Sequence, residues 1–534
     1  MIDTLTNKKG LLSLVLHTHL PFVRHPEYEH FLEEAWLFEA ISETYLPLLR
    51  VFDRLEKDAV PFRLTMSISP TLAHMLQDDL LMQRYVDHLD LLLKLASKEL
   101  DRNRHDAKVL KLSEMYNDFY SLNLKEFEDV YERNILKKIR YFQHAGYLEL
   151  ITTCATHSFL PHYQSYPEMI RAQIMTGVES HDRIFSKMPA GIWLPECGYF
   201  PGVEEYLRNY GIKYFISSTH GVLYAEDRPA RGVYAPISCP NGVTAFARDR
   251  ASSRAVWSAS DGYPGDPVYR DFYRDLGFDL PLDYIAPFIN DGINRVNTGF
   301  KYHAITGKTN QKEYYDGAVA KNKAVEHART FVDNRVKQCA TLGQYMDRPP
   351  LISAPYDAEL FGHWWFEGPD FLEAVIRETA RRSDDLALLT PTDYLKVYPE
   401  NQVTKPAFAS WGDKGYGQVW LDGSNDWIYR HTHKLIERMQ ELVERFPDEK
   451  GLKERTLNQA AREVLLSQAS DWPFIMKAGT TVPYARKRIK THIHNFNYIY
   501  DSLSRNTIKT EWLTKLEKRD NIFPFLDYRI FKKE

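Results

Sequence analysis

Cysteine is scarce in this chain: 4 among 534 residues, at Cys154, Cys197, Cys239 and Cys339, with no C-x-x-C pair. That pattern excludes a disulfide framework and a cysteine-built zinc site, and it suits a reducing compartment. Long apolar runs are missing as well. The first, residues 11–16 (LLSLVL), is too short for a bilayer span, and no small-residue cleavage site follows it. The expectation is a cytoplasmic protein with no membrane partner. Neither charge dominates, the formal net charge being −4, so no general attraction to nucleic acid is expected. Internal repeats, low-complexity tracts and long linkers are absent too.

What the chain does have is apolar material, 44% of residues, and aromatic rings, including 33 Tyr and 10 Trp. The length exceeds one ordinary domain and fits a single barrel with one or two satellites. Many rings stand beside Gly, Pro, Asp or Arg. Two readings stay open: a large aromatic core, or a cleft paved with flat platforms for sugar faces.

Residues 11–16 end in His17-Thr18-His19-Leu20-Pro21 and read as a strand buried on both faces. A helix follows over 31–50, with Phe31, Trp36, Leu37, Ala40, Ile41 and Leu48 at three- and four-residue steps. A second strand runs from Phe62 to Ile68 and a helix begins at Thr71. This alternation predicts a parallel α/β domain. Further strands are expected at Tyr147–Thr153, Gly191–Pro195, Lys213–Ser217, Leu351–Pro355 and Leu386–Leu389. About seven strand–helix units predict an incomplete (β/α)7 barrel of the α/β class. Its expected extent is 1–80 and 146–400, with a helical insertion over 81–145 and a helical C-terminal domain over 401–534 that contributes to the cleft. Residues 232–248 break the rhythm around Asn241-Gly242, a strong hairpin signal, and are expected to form an antiparallel flap outside the barrel.

Five constellations carry chemistry. In Trp193-Leu194-Pro195-Glu196-Cys197-Gly198-Tyr199 the strand stops at a proline, leaving Glu196 at its carboxyl end, where barrel enzymes place reactive groups. The bland alternative is a Glu capping the next helix. A second strand delivers Asp357 in Pro355-Tyr356-Asp357-Ala358-Glu359, ahead of His363, Trp364 and Trp365. Two carboxylates on one barrel face are what glycoside hydrolysis needs, at about 5–5.5 Å for a double displacement. The neighbouring tryptophans are expected to desolvate Asp357 and raise its pKa, as a proton donor requires; Glu359 is the rival acid. His17-x-His19 points two imidazoles one way, toward a metal or toward sugar hydroxyls with help from His157 and His363. The loop Trp411-x8-Trp420…Trp427 suggests exposed glucan platforms. Gln468-Ala-Ser-Asp471-Trp472 puts an acid and a ring at a helix end.

Together these segments resemble glycoside hydrolase family 57, most closely its 1,4-α-glucan branching enzyme group. Five motifs occur in order: His17-Thr-His19-Leu-Pro21, Gly146-Tyr-Leu-Glu149-Leu-Ile-Thr, Trp193-Leu-Pro-Glu196, Tyr356-Asp357 through Trp365, and the segment around Ala461–Trp472. The resemblance implies the incomplete (β/α)7 barrel and a retaining reaction on an α-glucan partner, with no metal and no cofactor. Glu196 matches the nucleophile and Asp357 the acid/base. His17, His19 and His157 match pocket residues, Trp411 and Trp420 match aromatic positions of the cleft, and Asp471 falls in the fifth motif. Trp193, His363, Trp364 and Phe278 complete the expected substrate-binding set, Phe278 standing where the group commonly has Trp. The flap after Thr219-His220 departs from the pattern. Residues 221–232 form a short stretch with Arg231 where a shielding Tyr is expected, and Tyr224 and Tyr234 are the nearby candidates. Both departures bear on transfer more than on cleavage. An amylase-like hydrolase and a 4-α-glucanotransferase of the same family are therefore the alternatives to a branching enzyme. From other classes, a metal-dependent polysaccharide deacetylase would use the His pair as ligands, and a non-catalytic glucan-binding protein would keep the rings alone.

Overall fold

The computed structural model describes residues 2–258, 260–289 and 292–533. Nine strands form one sheet: β1 (Leu11–Thr18), β2 (Leu64–Ile68), β3 (Leu148–Thr153), β4 (Gly191–Trp193), β5 (Tyr214–Ser217), β6 (Ile237–Ser238), β7 (Thr244–Ala247), β8 (Leu351–Asp357) and β9 (Ala387–Leu388). Along the order β7-β5-β4-β3-β2-β1-β8 every pairing is parallel. All of β1 and β2 is buried, as central parallel strands covered on both faces must be. The outermost strands of this path are β7 and β8, and just past the end of β7 the Asp249 N–H donates to the Ser353 carbonyl of β8 at 2.8 Å. No ladder joins them among the described residues, and the chain forms an incomplete (β/α)7 barrel with a helical C-terminal region.

Two expectations need correction. The segment 232–248 is not an excursion outside the barrel. Gly242 turns the chain at φ 91°, and β6 pairs antiparallel with β7 as the Asn241-Gly242 signal predicts. The other edge of β7, however, pairs with β5 in parallel from Tyr214↔Thr244 to Ser217↔Ala247. The turn is a local signal, and it carries no information about that second edge. The strand expected at Leu386–Leu389 shrinks to β9, which pairs with β1 alone at Leu11 and Leu12.

Three helices, Asp79–Asn103, Ala107–Lys125 and Ile135–His144, stand between β2 and β3. They hold the long β7–β8 connection: the Tyr116 hydroxyl donates to the Lys301 carbonyl at 3.0 Å and that of Tyr302 to Glu99 at 3.1 Å. Helices Trp427–Arg445, Leu452–Ser467, Asp471–Ala478 and Val482–Arg505 make the C-terminal region. No helix among the described residues is long and apolar enough to cross a membrane.

A π-helical turn at Ile41–Tyr45 widens the helix after β1, a distortion often found beside functional sites. Its Glu43 is buried and pairs with buried Arg270 at 3.2 Å and with His363 at 2.7 Å. Gly362 is required here: at φ 128°, a Cβ would lie 1.8 Å from the Glu43 carbonyl oxygen. Removing one partner of a buried pair leaves an uncompensated charge and costs about 3–5 kcal/mol. Arg270→Ala is therefore expected to lower the thermal unfolding midpoint by several degrees; an unchanged midpoint would refute the contribution of this pair.

Candidate active site

Because the main strands run parallel, their carboxyl ends share one rim, and the register aligns what they carry. His17 of β1 sits level with Asp357 of β8 and Ser67 of β2. Past the ends of β3 and β4 the chain places His157 and Glu196 on the same rim, both with positive φ, 56° and 61°. Side chains other than Gly adopt that region at a cost of about 1–3 kcal/mol, and such residues cluster at active sites.

Glu196 is gripped by two residues from the end of the chain. The Trp411 indole N–H donates to Oε2 at 2.8 Å and the Ser470 hydroxyl to Oε1 at 2.8 Å. The Trp411 backbone N–H also binds the Glu196 carbonyl at 2.9 Å. His157 Nδ1 lies 2.8 Å from Ser470 Oγ and 3.8 Å from Glu196 Oε1. Burial raises the pKa of Glu196, and the bonds from Trp411 and Ser470 pull it back. Its side chain keeps 15% exposure, so a ligand can reach it.

Asp357 is buried too, and its acidic neighbours push its pKa in the same direction as burial does. Burial, then the charges of Glu359 and Glu196, push its pKa up to about 8, against a bond from the Trp257 side chain. At neutral pH it holds a proton. Each carboxylate contributes through its charge to the environment of Asp357, so Glu196 and Asp357 share one electrostatic neighbourhood. The Tyr45 hydroxyl holds Glu359 at 2.6 Å, linking it to the π-helical turn. Of the tryptophans that follow Asp357 in the chain, Trp365 is buried against Tyr269 and Phe371, and Trp364 lies over Phe272.

The three histidines form a stack. His17 lies on Trp193 with centroids 4.4 Å apart and planes 5° from parallel, and His19 lies on His157 at 3.8 Å. His17 Nε2 meets His157 Nε2 at 3.1 Å and His17 Nδ1 meets Ser67 at 3.1 Å. Burial lowers the pKa of His17 and His157 well below the usual range. It acts on His19 too, yet Asp471, at 3.0 Å, outweighs it and the pKa rises. His19, His157 and Asp471 bring ligating atoms within 4.8 Å of one another, so these three could hold a divalent cation. A second such group, Glu463, His492 and Asp520, is buried in the C-terminal helices. There Arg519 pairs with Asp520 and Arg488 contacts His492, supplying the compensating charge.

Of the residues singled out in the sequence, His17, His19, His157, Trp193, Glu196, Asp357, Trp411 and Asp471 converge. His363 sits behind Glu43, with Trp364 half exposed beside it. Trp420 is not an exposed platform: it is 1% exposed and stacks on Phe159 at 4.4 Å, closed in by Gly412. Phe278 is a surface residue of the short helix Leu276–Asp279 and has no ring contact with the cluster among the described residues. Arg231 is tied to Asp347 at 2.5 Å, while Tyr224 is 69% exposed. Glu149 of the second motif accepts from Tyr214 at 2.8 Å and serves the barrel wall. Sequence reasoning missed Ser470, Tyr45, Trp257 and Glu43. Ser470 had a signal, as the neighbour of Asp471 in the fifth motif; the others had none.

With this geometry in hand, the sequence matches the Glycosyl hydrolase family 57 profile over residues 13–407. The chain belongs to glycosyl hydrolase family 57. Residues 431–531 match the profile described as 1,4-alpha-glucan branching enzyme, C-terminal. Among solved structures, the novel α-amylase AmyC of Thermotoga maritima is 45% identical, with a TM-score of 0.92, covering 98% of this chain and 99% of that one. The branching enzyme of Pyrococcus horikoshii is 30% identical, with a TM-score of 0.89 and coverage of 98% and 97%. A 1,4-alpha-glucan branching enzyme of Thermococcus kodakarensis is 33% identical over 96% of this chain and 77% of its own length.

Ser470→Ala removes one of the two donors that stabilise the Glu196 anion, so the Glu196 pKa is expected to rise. Infrared difference titration against Glu196→Gln measures it directly, and Ser470→Thr is expected to restore the value. A Glu196 titration unmoved by the loss of Ser470 would show that the bond does not act on the anion.

Proposed function

We propose that this protein is a retaining α-glucan enzyme, a 1,4-α-glucan branching enzyme that cuts α-1,4 links and rejoins the chain through α-1,6 links. The observation that carries the reading is the difference in partners of two buried carboxyl groups at the ends of β4 and β8. Glu196 has both oxygens in donated bonds that favour its anion, and Asp357 is held protonated up to about pH 8. Two neighbouring acids, one held by donors and one pressed by anions, suit the separate roles of nucleophile and proton donor.

In the proposed reaction a Glu196 oxygen attacks the anomeric carbon. The bond from that carbon to the glycosidic oxygen breaks, and the Asp357 proton passes to the departing oxygen. The glucosyl–enzyme ester is resolved when ionised Asp357 takes the proton of an incoming hydroxyl, whose oxygen bonds to the anomeric carbon and frees Glu196. A 6-hydroxyl of another chain gives a branch, and water gives hydrolysis. His19, paired with Asp471, and the neutral stack of His17, His157 and Trp193 orient the sugar beside Glu196. The branching names of the relatives from Thermococcus and Pyrococcus support transfer, as does the match to the branching-enzyme C-terminal profile. The setting we propose is cytoplasmic synthesis of a branched storage glucan.

An amylase-like hydrolase is the second reading, favoured by the 45% identity to a protein named an α-amylase and by an Arg231 fixed on Asp347 in the flap. Transfer wins over hydrolysis only where the site excludes water and positions the acceptor.

Incubation with amylose separates the two readings by proton NMR: new α-1,6 signals are expected, and reducing ends alone would leave a hydrolase. Glu196→Gln is expected to abolish both products, since the amide cannot form the ester; wild-type rates in that variant would refute the nucleophile. The pH dependence follows from the proton on Asp357. kcat/KM is expected to fall above about pH 8 as that proton is lost. Glu359→Gln removes an anion that favours the protonated form, so the alkaline limb is expected to shift to lower pH. A limb that stays in place or moves upward would refute the assignment.

A further inference from the structure

Far along the chain from Glu196, the helices Trp427–Arg445 and Val482–Arg505 leave a groove between them. Trp427, Arg430 and His431 line one wall, and Arg486, Lys490 and His494 the other, with Lys487 continuing its rim. No acidic residue is among the lining residues. Arg430, Arg486 and Lys490 are exposed, and among the described residues none of the three has an ion-pair partner. Lys487 faces the Tyr28 ring at 5.6 Å and the charge of Glu33, so it is partly compensated; the other three are not.

This placement runs against the local electrostatics. Arg486, Lys490 and His494 recur every four residues and stand on one helix face, where the like charges of Arg486 and Lys490 repel by about 0.2–0.5 kcal/mol. Arg486, Lys487 and Lys490 lie in the first turns of a 24-residue helix that has no acid in its opening turn, the end where the backbone dipole already disfavours cations. The field is felt locally: burial and then Arg430 lower the pKa of His431. A cost kept on both helices, in a chain of net charge −4, fits a ligand that supplies the missing negative charge. Half-buried Trp427 adds a flat apolar surface among the cations. It opens the helix that follows the loop carrying Trp411 and Trp420, and no part of the reaction above uses it.

We propose that this groove is a second glucan-binding site, selective for α-glucan carrying phosphate monoesters: Trp427 meets a sugar face while Arg430, Arg486 and Lys490 meet the phosphates. The assignment rests on the α-glucan reading of the active site and adds a substrate subclass to it. A groove open along its length suits a polymer. An acidic peptide would satisfy the cations without using the ring.

The test compares retention of the full-length protein in native gels containing phosphorylated amylopectin, the same polymer after phosphatase treatment, or polyglutamate, with tripolyphosphate as competitor. Retention on the phosphorylated polymer is expected to exceed that on the dephosphorylated one at least fivefold and to weaken with added salt. The double variant Arg486→Glu/Lys490→Glu should bind both polymers alike while cutting unmodified amylose at the parent rate. Equal retention of the parent on the two polymers would overturn the proposal, as would discrimination that survives the double reversal. Polyglutamate binding, or tripolyphosphate binding, as tight as that of the phosphorylated glucan would overturn it too, since the groove would then read charge alone. Amylose cleavage is scored separately: its absence in the parent protein counts against the active-site reading, whereas the retention ratio reports on the groove.

Discussion

The structure depends on one constraint: a carboxylate at the end of a barrel strand has to be held as an anion inside a largely dry cluster of rings. Burial favours its proton, and among the described residues the barrel supplies no hydrogen-bond donor to either oxygen. Trp411 and Ser470 do, from beyond the last barrel strand. The C-terminal region is thus part of the site's electrostatics. Its docking is built into the same contacts, for the Ser470 backbone N–H binds the His157 carbonyl at 2.9 Å and Ser158 bridges to Ala469.

Around that anion the other titratable groups fall into order. His17 and His157 stay neutral, the pKa of His19 is raised by Asp471 with help from Glu196 and Glu359, and that of Asp357 is pushed up by burial and then by the negative charge of Glu359 and Glu196. Behind them Tyr45 and Glu43, two residues apart on the π-helical turn, hold Glu359 and His363. A single wide turn therefore sets the orientation of two side chains from the fourth motif.

Much of this was legible in the sequence because central parallel strands are continuous apolar runs, and the residue that ends such a run declares its position. Pro195 ahead of Glu196, and the run through Ser353 into Asp357, located both acids on the rim. The 11–16 run did the same for His17 and His19. Illegible were properties that depend on the second partner. The parallel edge of β7 left no mark beside the Asn241-Gly242 turn. Trp411 and Trp420 look alike in a loop, yet one reaches Glu196 and the other stacks on Phe159. Trp257, Tyr45 and Ser470 act across separations no local pattern encodes. Arg486, Lys490 and His494 show their helical spacing in the sequence, but the sequence does not show which helix faces them.

The grip on Glu196 has a consequence for how the protein is born. Ser470 lies 274 residues after Glu196. At the usual pace of synthesis, about 5–20 residues per second, the barrel rim waits roughly 15–55 s for its last donor. A nascent chain with its strands already paired still lacks the clamp, which closes only once Ser470 has been made.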